Sequence, residues 1–319
     1  MNQTKLTNKQ KERLKVLEPK LKDAISERDY STAKSLVTDL QALLRPTKHY
    51  NRLVKSKNAF YELALDVDKI DAAISGLISN RKVVRKPTRL YLEATAILAI
   101  CYLRKEEIEK AKPLIREVLT NDDVIKTERT RKLFRIEIVE RFNEETALYS
   151  LKNKEVDEFT QEELEKEVVY LLTNNKSESE LYLSIGRAVP EHTRNLLFQV
   201  HQFSILQLPS AERLSLPSPE QKIKDKEVGK TVFKSVKRVA YNSLCDSKSE
   251  TYKAWFIDGV PSLVLNKGYI RTAIVTSLVN MGIGLKMVIA YVVALVMRIG
   301  LDFYCEHYKP LDLMELRGK

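Results

Sequence analysis

Residues 95–121 read TAILAICYLRKEEIEKAKPLIREVLTN. Ala99 and Ala111 stand twelve residues apart, Leu98 and Tyr102 flank the first, and Ile115 and Val118 extend the face begun by the second. Apolar positions three and four apart mark one side of a helix. Small residues at facing positions let two such helices approach closely, so the stretch predicts a helical hairpin.

Upstream, the scheme recurs twice. In AISERDYSTAKSLVTDLQALLRP (24–46), Ala33, Leu36, Val37, Leu40, Leu43 and Leu44 form one face, Asp29 to Ser31 supply a turn, and Pro46 ends the helix. FYELALDVDKIDAAISGLISN (60–80) repeats it around Ala73, with Ile74, Leu77 and Ile78. Ala33, Ala73 and Ala111 are spaced 40 and 38 apart.

Over residues 15–120 this pattern resembles the tetratricopeptide repeat. Leu98, Ala99 and Tyr102 fall at the small and aromatic positions of that family's first helix, and Ala111 at the small position of its second. The spacing exceeds the family's period of about 34. Leu21 stands where a small residue belongs, and Asp123 where the third unit would carry its terminal proline. An α-α repeat outside that family accounts for the same spacing. Stacked hairpins of this kind imply a concave groove that holds a peptide or partner subunit.

Composition supports helix throughout. Gly and Pro total 19 in 319 residues, too few for the frequent turns of an all-β chain. Residues 125–150 and 160–173 add helices, the second opened by a Thr160–Glu163 capping box and a Phe159–Leu164 staple. QLPSAERLSLPSPEQ, 207–221, interrupts every period and reads as a linker. Beyond it, Val228, Val232, Phe233, Val236, Val239 and Ala240 line one face of a lysine-rich helix. The expected fold class is therefore all-α: repeats over 1–206, a linker over 207–221 and a C-terminal helical domain over 222–319.

Thr272–Met297 is the most apolar stretch, with Lys286 as its single charge between Arg271 and Arg298. Its length would span a bilayer core, which takes about 20 helical residues. A central lysine opposes that reading, at roughly 2.5–3.5 kcal/mol. Gly282 and Gly284 split the stretch into two shorter helices. Ile274, Leu278, Ile289, Val292, Val293, Leu295 and Val296 then form either a buried core or oligomer interface, or a membrane-inserting hairpin.

The net charge of +11 divides as +9 over 1–150, −5 over 151–220 and +7 over 221–319. Two basic blocks flank an acidic one and favour an acidic partner, whether nucleic acid, anionic lipid or protein. The densest basic segment is RKVVRKPTR, with Arg81, Lys82, Arg85, Lys86 and Arg89. Lys48 and Arg52, around His49 and Tyr50, form a second candidate grip for phosphates. Solvated helix ends are the plainer reading of both.

Catalytic signatures are absent: no paired carboxylates, GxSxG or Gly-rich loop occur. Gly229-Lys230-Thr231 resembles the end of a phosphate-binding loop, but position 224 holds lysine instead of the required glycine. Arg187 and His192 have the R-x4-H spacing that resembles the motif of HEPN ribonucleases, in which paired protomers surround the scissile phosphate. Ala188 replaces the usual polar residue, and a surface turn capped by Glu191 and Arg194 is the plainer reading of the pair. Cys305 and His307 have no partner pair at metal spacing, and Trp255 with Tyr252 and Phe256 reads as a core anchor. Neither metal nor cofactor is expected. Three dispersed cysteines, Cys101, Cys245 and Cys305, suggest no disulfide, and the first twenty residues carry no apolar leader, so a reducing, cytoplasmic setting is expected.

The leading expectation is a non-catalytic assembly protein, its repeats binding a protein partner and its apolar helices packing or self-associating. A second reading, from a layout that resembles some bacterial toxins and antiphage-defence effectors, is a membrane-disrupting effector acting through 272–297. A third is a nucleic-acid-binding subunit using the basic blocks.

Overall fold

The N-terminal helix opens because Thr7 and Gln10 cap one another: each side chain accepts the other's backbone N–H. In the computed structural model six helices follow one another as three hairpins: α1 (Asn8–Ser26), α2 (Tyr30–Leu44), α3 (Tyr50–Asp66), α4 (Ile70–Val83), α5 (Arg89–Arg104) and α6 (Ile108–Thr120). The structure describes residues 3–152, 157–174, 176–213, 225–246, 249, 252–253, 256–257, 260–261, 267–280 and 282–308. The chain is all-α; among the described residues the exceptions are a minimal antiparallel pairing of β1 (Phe256–Ile257) with β2 (Val260–Pro261) and an isolated bridge between Lys152 and Ile283. Two compact units divide it. The first holds residues up to Ile138 with Gln207–Pro209, and the second runs from Val139 to Leu206 and on from Ser210. The division thus falls inside α7 (Glu128–Leu151) and again on either side of Gln207–Pro209, at the start of the proline-rich 207–221, of which residues 214–221 lie outside the described residues.

In the first unit the repeat is visible atom by atom. Arg28, Asp68 and Glu106 take left-handed backbone, with φ of 57°, 59° and 57°. Each closes its hairpin with the same pair of bonds. Arg28 N–H donates to Ile25 and Asp29 to Ala24; Asp68 donates to Leu65 and Lys69 to Ala64; Glu106 donates to Leu103 and Glu107 to Tyr102. This is a Schellman cap, and it satisfies carbonyls that the end of each first helix leaves open. One turn later the N–H groups of Ala33, Ala73 and Ala111 begin the second helices by donating to Asp29, Lys69 and Glu107, and all three alanines are fully buried. The 40- and 38-residue spacing is therefore a structural period. Polar ties lie within and between hairpins: Asn80 Nδ2 donates to Asn58 Oδ1 at 2.9 Å inside the second, and Asn58 Nδ2 donates to the Leu90 carbonyl of the third at 3.0 Å. Arg104 donates to the Leu65 carbonyl.

The third hairpin departs from an open groove. No residue of α5 is exposed, so whatever concave surface the repeats form is closed along this inner helix.

The second unit is built on helices α8 (Gln161–Thr173), α9 (Glu178–Ala188), α10 (Glu191–Leu206), the short α11 (Ser210–Arg213), α12 (Asp225–Cys245), α13 (Lys267–Asn280), α14 (Lys286–Ile299) and α15 (Leu301–His307). The Thr160–Glu163 box forms as read, and Ser177–Glu180 makes a second. Helices α9 and α12 cross where neither has a side chain. A Cβ at Gly186 would overlap the Asp225 carbonyl oxygen, and one at Gly229 the Tyr182 carbonyl oxygen.

The apolar stretch breaks as its glycines predict, with Gly282 at φ 81° between α13 and α14. Ile274, Leu278, Ile289, Val292, Val293, Leu295 and Val296 are all buried in one core with Leu164, Val168, Leu181, Val232 and Val236. Lys286 escapes burial at the first turn of α14: its N–H donates to Asp157 Oδ2 at 2.7 Å and its ammonium sits 3.6 Å from Glu163. At 14 residues each helix is about 21 Å long, short of the roughly 30 Å hydrocarbon core. Among the described residues no helix is long and apolar enough to cross a membrane.

One expectation fails outright. Cys245 and Cys305 are joined by a disulfide, with Cα atoms 5.4 Å apart, which removes the argument from cysteine usage for a reducing compartment. Trp255 and the side chain of Phe256, read as a core anchor, lie outside the described residues, as does the Val239 side chain.

A charge cluster lines α7 in this unit. Arg141 pairs with Glu145 at 2.7 Å, both buried, and Lys234 reaches Glu140 at 3.1 Å. Between them Glu144 is held up to about 6 by loss of solvent, which nearby Arg141 and Lys234 only partly offset. Lys237 is pushed down to about 8, again by burial. A carboxyl raised in the folded state binds its proton more tightly there, so its contribution to stability is complete below pH 4.5 and lost as pH rises through about 6.

Two measurements test this packing. Gly186→Ala is expected to destabilise by about 1–3 kcal/mol, read from the urea midpoint, because backbone and not a flexible side chain must yield. Between pH 4.5 and 6.5 the parent protein should lose at most about 2 kcal/mol relative to Glu144→Gln, less whatever solvent screens. Parallel stability curves for the two proteins over that range would contradict it.

Candidate functional site

Helix α4 ends in the basic segment, and its cations have different fates. Arg81 is drawn inward: Nη2 donates to Tyr91 OH at 2.8 Å and pairs with Glu117 Oε2, while its guanidinium carbon lies 4.9 Å from the Tyr91 ring centre. Tyr91 OH in turn donates to Glu117 Oε1 at 2.8 Å. Burial, then the bond to Glu117, raises the Tyr91 hydroxyl above its ordinary range. Arg89 Nε faces the buried Glu93 at 3.5 Å. Lys82, Arg85 and Lys86 are exposed and find no anionic partner among the described residues.

Beside them opens a cleft of about 350 Å³, lined by Lys86, Pro87, Tyr91, Leu92, Thr95, Glu117, Asn121, Asp123 and Val124. The start of α5, the end of α6 and the turn of 3-10 helix at Asp122–Val124 build its walls. That turn is fixed by Arg135, which donates Nη2 to Asp122 Oδ1 at 3.2 Å and brings Nε within 2.7 Å of Oδ2, a contact of opposite charges more than an aligned bond. The Thr95 hydroxyl is spent on the Tyr91 carbonyl at 2.8 Å. The inner wall is thus satisfied internally, and Lys86, Asn121 and Asp123 remain as side chains uncommitted to other described residues. Apolar Pro87, Leu92 and Val124 complete the lining.

Comparison of the chain with protein-family models, with curated proteins and with solved structures finds no match.

The other candidates separate cleanly. Arg52 forms a bidentate pair with Glu18 across neighbouring hairpins, its second bond at 2.7 Å, so it is not available to a phosphate. That pairing raises its own affinity for protons. Lys48 is exposed in a left-handed turn (φ 59°), away from any pairing among the described residues. Arg187 is directed to Asp225 Oδ2 at 3.4 Å, and the same carboxylate takes Arg194. The R-x4-H pair therefore resolves into a salt-bridged junction at the start of α12, with His192 on the exposed side of α10. Among the described residues no three metal-ligating side chains converge.

Sequence reading missed Tyr91, Glu117, Asn121 and Asp123 as a group because their proximity depends on the hairpin packing. The one local signal was the run Asn121-Asp122-Asp123 placed directly after α6. Glu117→Ala would leave the largely buried Arg81 uncompensated and is expected to lower stability by about 1–3 kcal/mol in chemical denaturation. Tyr91→Phe, which keeps that ion pair, should cost less.

Proposed function

We propose that the chain is a non-catalytic interaction protein whose first unit recognises an acidic segment of a protein partner at the Lys82–Lys86 rim and the adjoining cleft. The observation that carries this reading is the contrast in charge pairing. Arg52, Arg81 and Arg89 are neutralised within the protein, whereas Lys82, Arg85 and Lys86 stand together, exposed and uncommitted among the described residues. Val83, 46% exposed, adds an apolar contact among these cations. That no residue of α5 is exposed supports the rim, and not this helix, as the contact surface. Complementary charge would steer encounter, and the cleft would supply the specific fit.

The test uses the full chain. The partner is captured by co-purification, identified, and its affinity measured for the parent and for the triple variant Lys82→Glu/Arg85→Glu/Lys86→Glu. Reversal should weaken binding at least tenfold and leave the helical circular dichroism and melting temperature unchanged. Equal affinity of both proteins would remove the rim from the reading. A ligand that proves to be RNA or DNA, with affinity falling steeply and linearly on a log–log salt plot, would replace the protein partner by a phosphate backbone.

A further inference from the structure

We infer that Cys245–Cys305 is a site of reversible thiol–disulfide exchange, and that its reduction by a dithiol releases α15 from α12. The bond joins the last residue of α12 to the fifth of α15, across a separation of 60 residues. Helix α15 has only seven residues, too few to persist alone in water. It follows Gly300, whose φ of 90° suits glycine and around which a Cβ would meet nothing within 4 Å, so the chain can pivot there.

Apart from the disulfide, its attachment to the core rests on two buried side chains, Leu301 and Tyr304. Tyr304 is fully buried and its hydroxyl donates to the Lys237 carbonyl at 2.6 Å. Its ring meets those of Tyr241 and Tyr308 at 6.5 and 5.5 Å, and the Lys237 ammonium lies 3.6 Å from the Tyr308 ring centre. The opposite side faces solvent: Phe303, 49% exposed, stacks on His307 at 4.0 Å. Both cysteines are only partly buried, unlike Cys101, so an attacking thiolate can reach the bond.

The exchange balances as two electrons and two protons. A reductant thiolate attacks one sulfur, forming a mixed disulfide and expelling the other cysteine as a thiolate that takes up a proton. The second thiol of the reductant then attacks the mixed disulfide. Cys245 and Cys305 end as thiols, and the reductant leaves as its own disulfide. Reduction thereby acts mechanically on the fold: α15 loses its covalent hold, swings at Gly300, and Tyr304 leaves the core.

The experiment uses full-length protein purified under air without added thiol. Alkylation after denaturation, read by intact mass, should add one group before reduction and three after reduction with dithiothreitol. In the folded protein, hydrogen exchange of the peptide covering 301–307 should accelerate at least tenfold on reduction. Cys305→Ser should show the fast rate with or without dithiothreitol. Three alkyl groups on the unreduced protein would show that the bond does not form. Unchanged exchange at 301–307 on reduction of the parent protein would show that the bond does not hold the helix, whatever the variant does.

Discussion

Backbone-to-backbone approach between helices is the constraint on which both units depend. Where two helices are to touch closely, neither can carry a bulky side chain at the crossing, and this chain meets the requirement in two ways. In the repeats it places an alanine one turn into each second helix, at Ala33, Ala73 and Ala111, all without exposure. In the second unit it removes the side chain altogether at Gly186 and Gly229, bringing α9 against the start of α12. The Schellman caps at Arg28, Asp68 and Glu106 then hold each hairpin at a fixed angle, so that the close contact recurs with every unit.

How far this could be read in the residues depends on the range of each interaction. The hairpins were legible because their determinants are local: an apolar face, a turn and a small residue within about thirty positions. The break of the apolar stretch at Gly282 and the Thr160 cap were legible for the same reason. Pairings set by the repeat length were not. Arg52 finds Glu18 at a separation of 34, and Arg81 finds Glu117 at 36, one unit away in each case. A basic cluster therefore read as uniformly available, although the fold withdraws Arg52 and Arg81 and leaves Lys82, Arg85 and Lys86. Cys245 and Cys305 illustrate the same limit: an odd number of distant cysteines carries no sign of which two will meet.

The candidate surface gains its meaning from that sorting. A salt bridge within a protein removes a cation from recognition as effectively as a substitution would. The inward turn of Arg81 onto Tyr91 and Glu117 also stiffens one wall of the cleft, while the rim keeps its charge. Rigidity and unsatisfied charge lie side by side, an arrangement that lowers the entropic cost of seating a ligand.

The single core of the second unit draws on residues from Ala147 to Tyr304, with α14 among its most buried members. Synthesis on the ribosome therefore imposes an order. The hairpins of the first unit rest on neighbours close in sequence and can close as they emerge. The apolar faces of α8 and α9 must wait for α14, made more than a hundred residues after α8, before they are covered. During that interval the nascent chain presents a greasy, incomplete bundle, which is the state most in need of a chaperone.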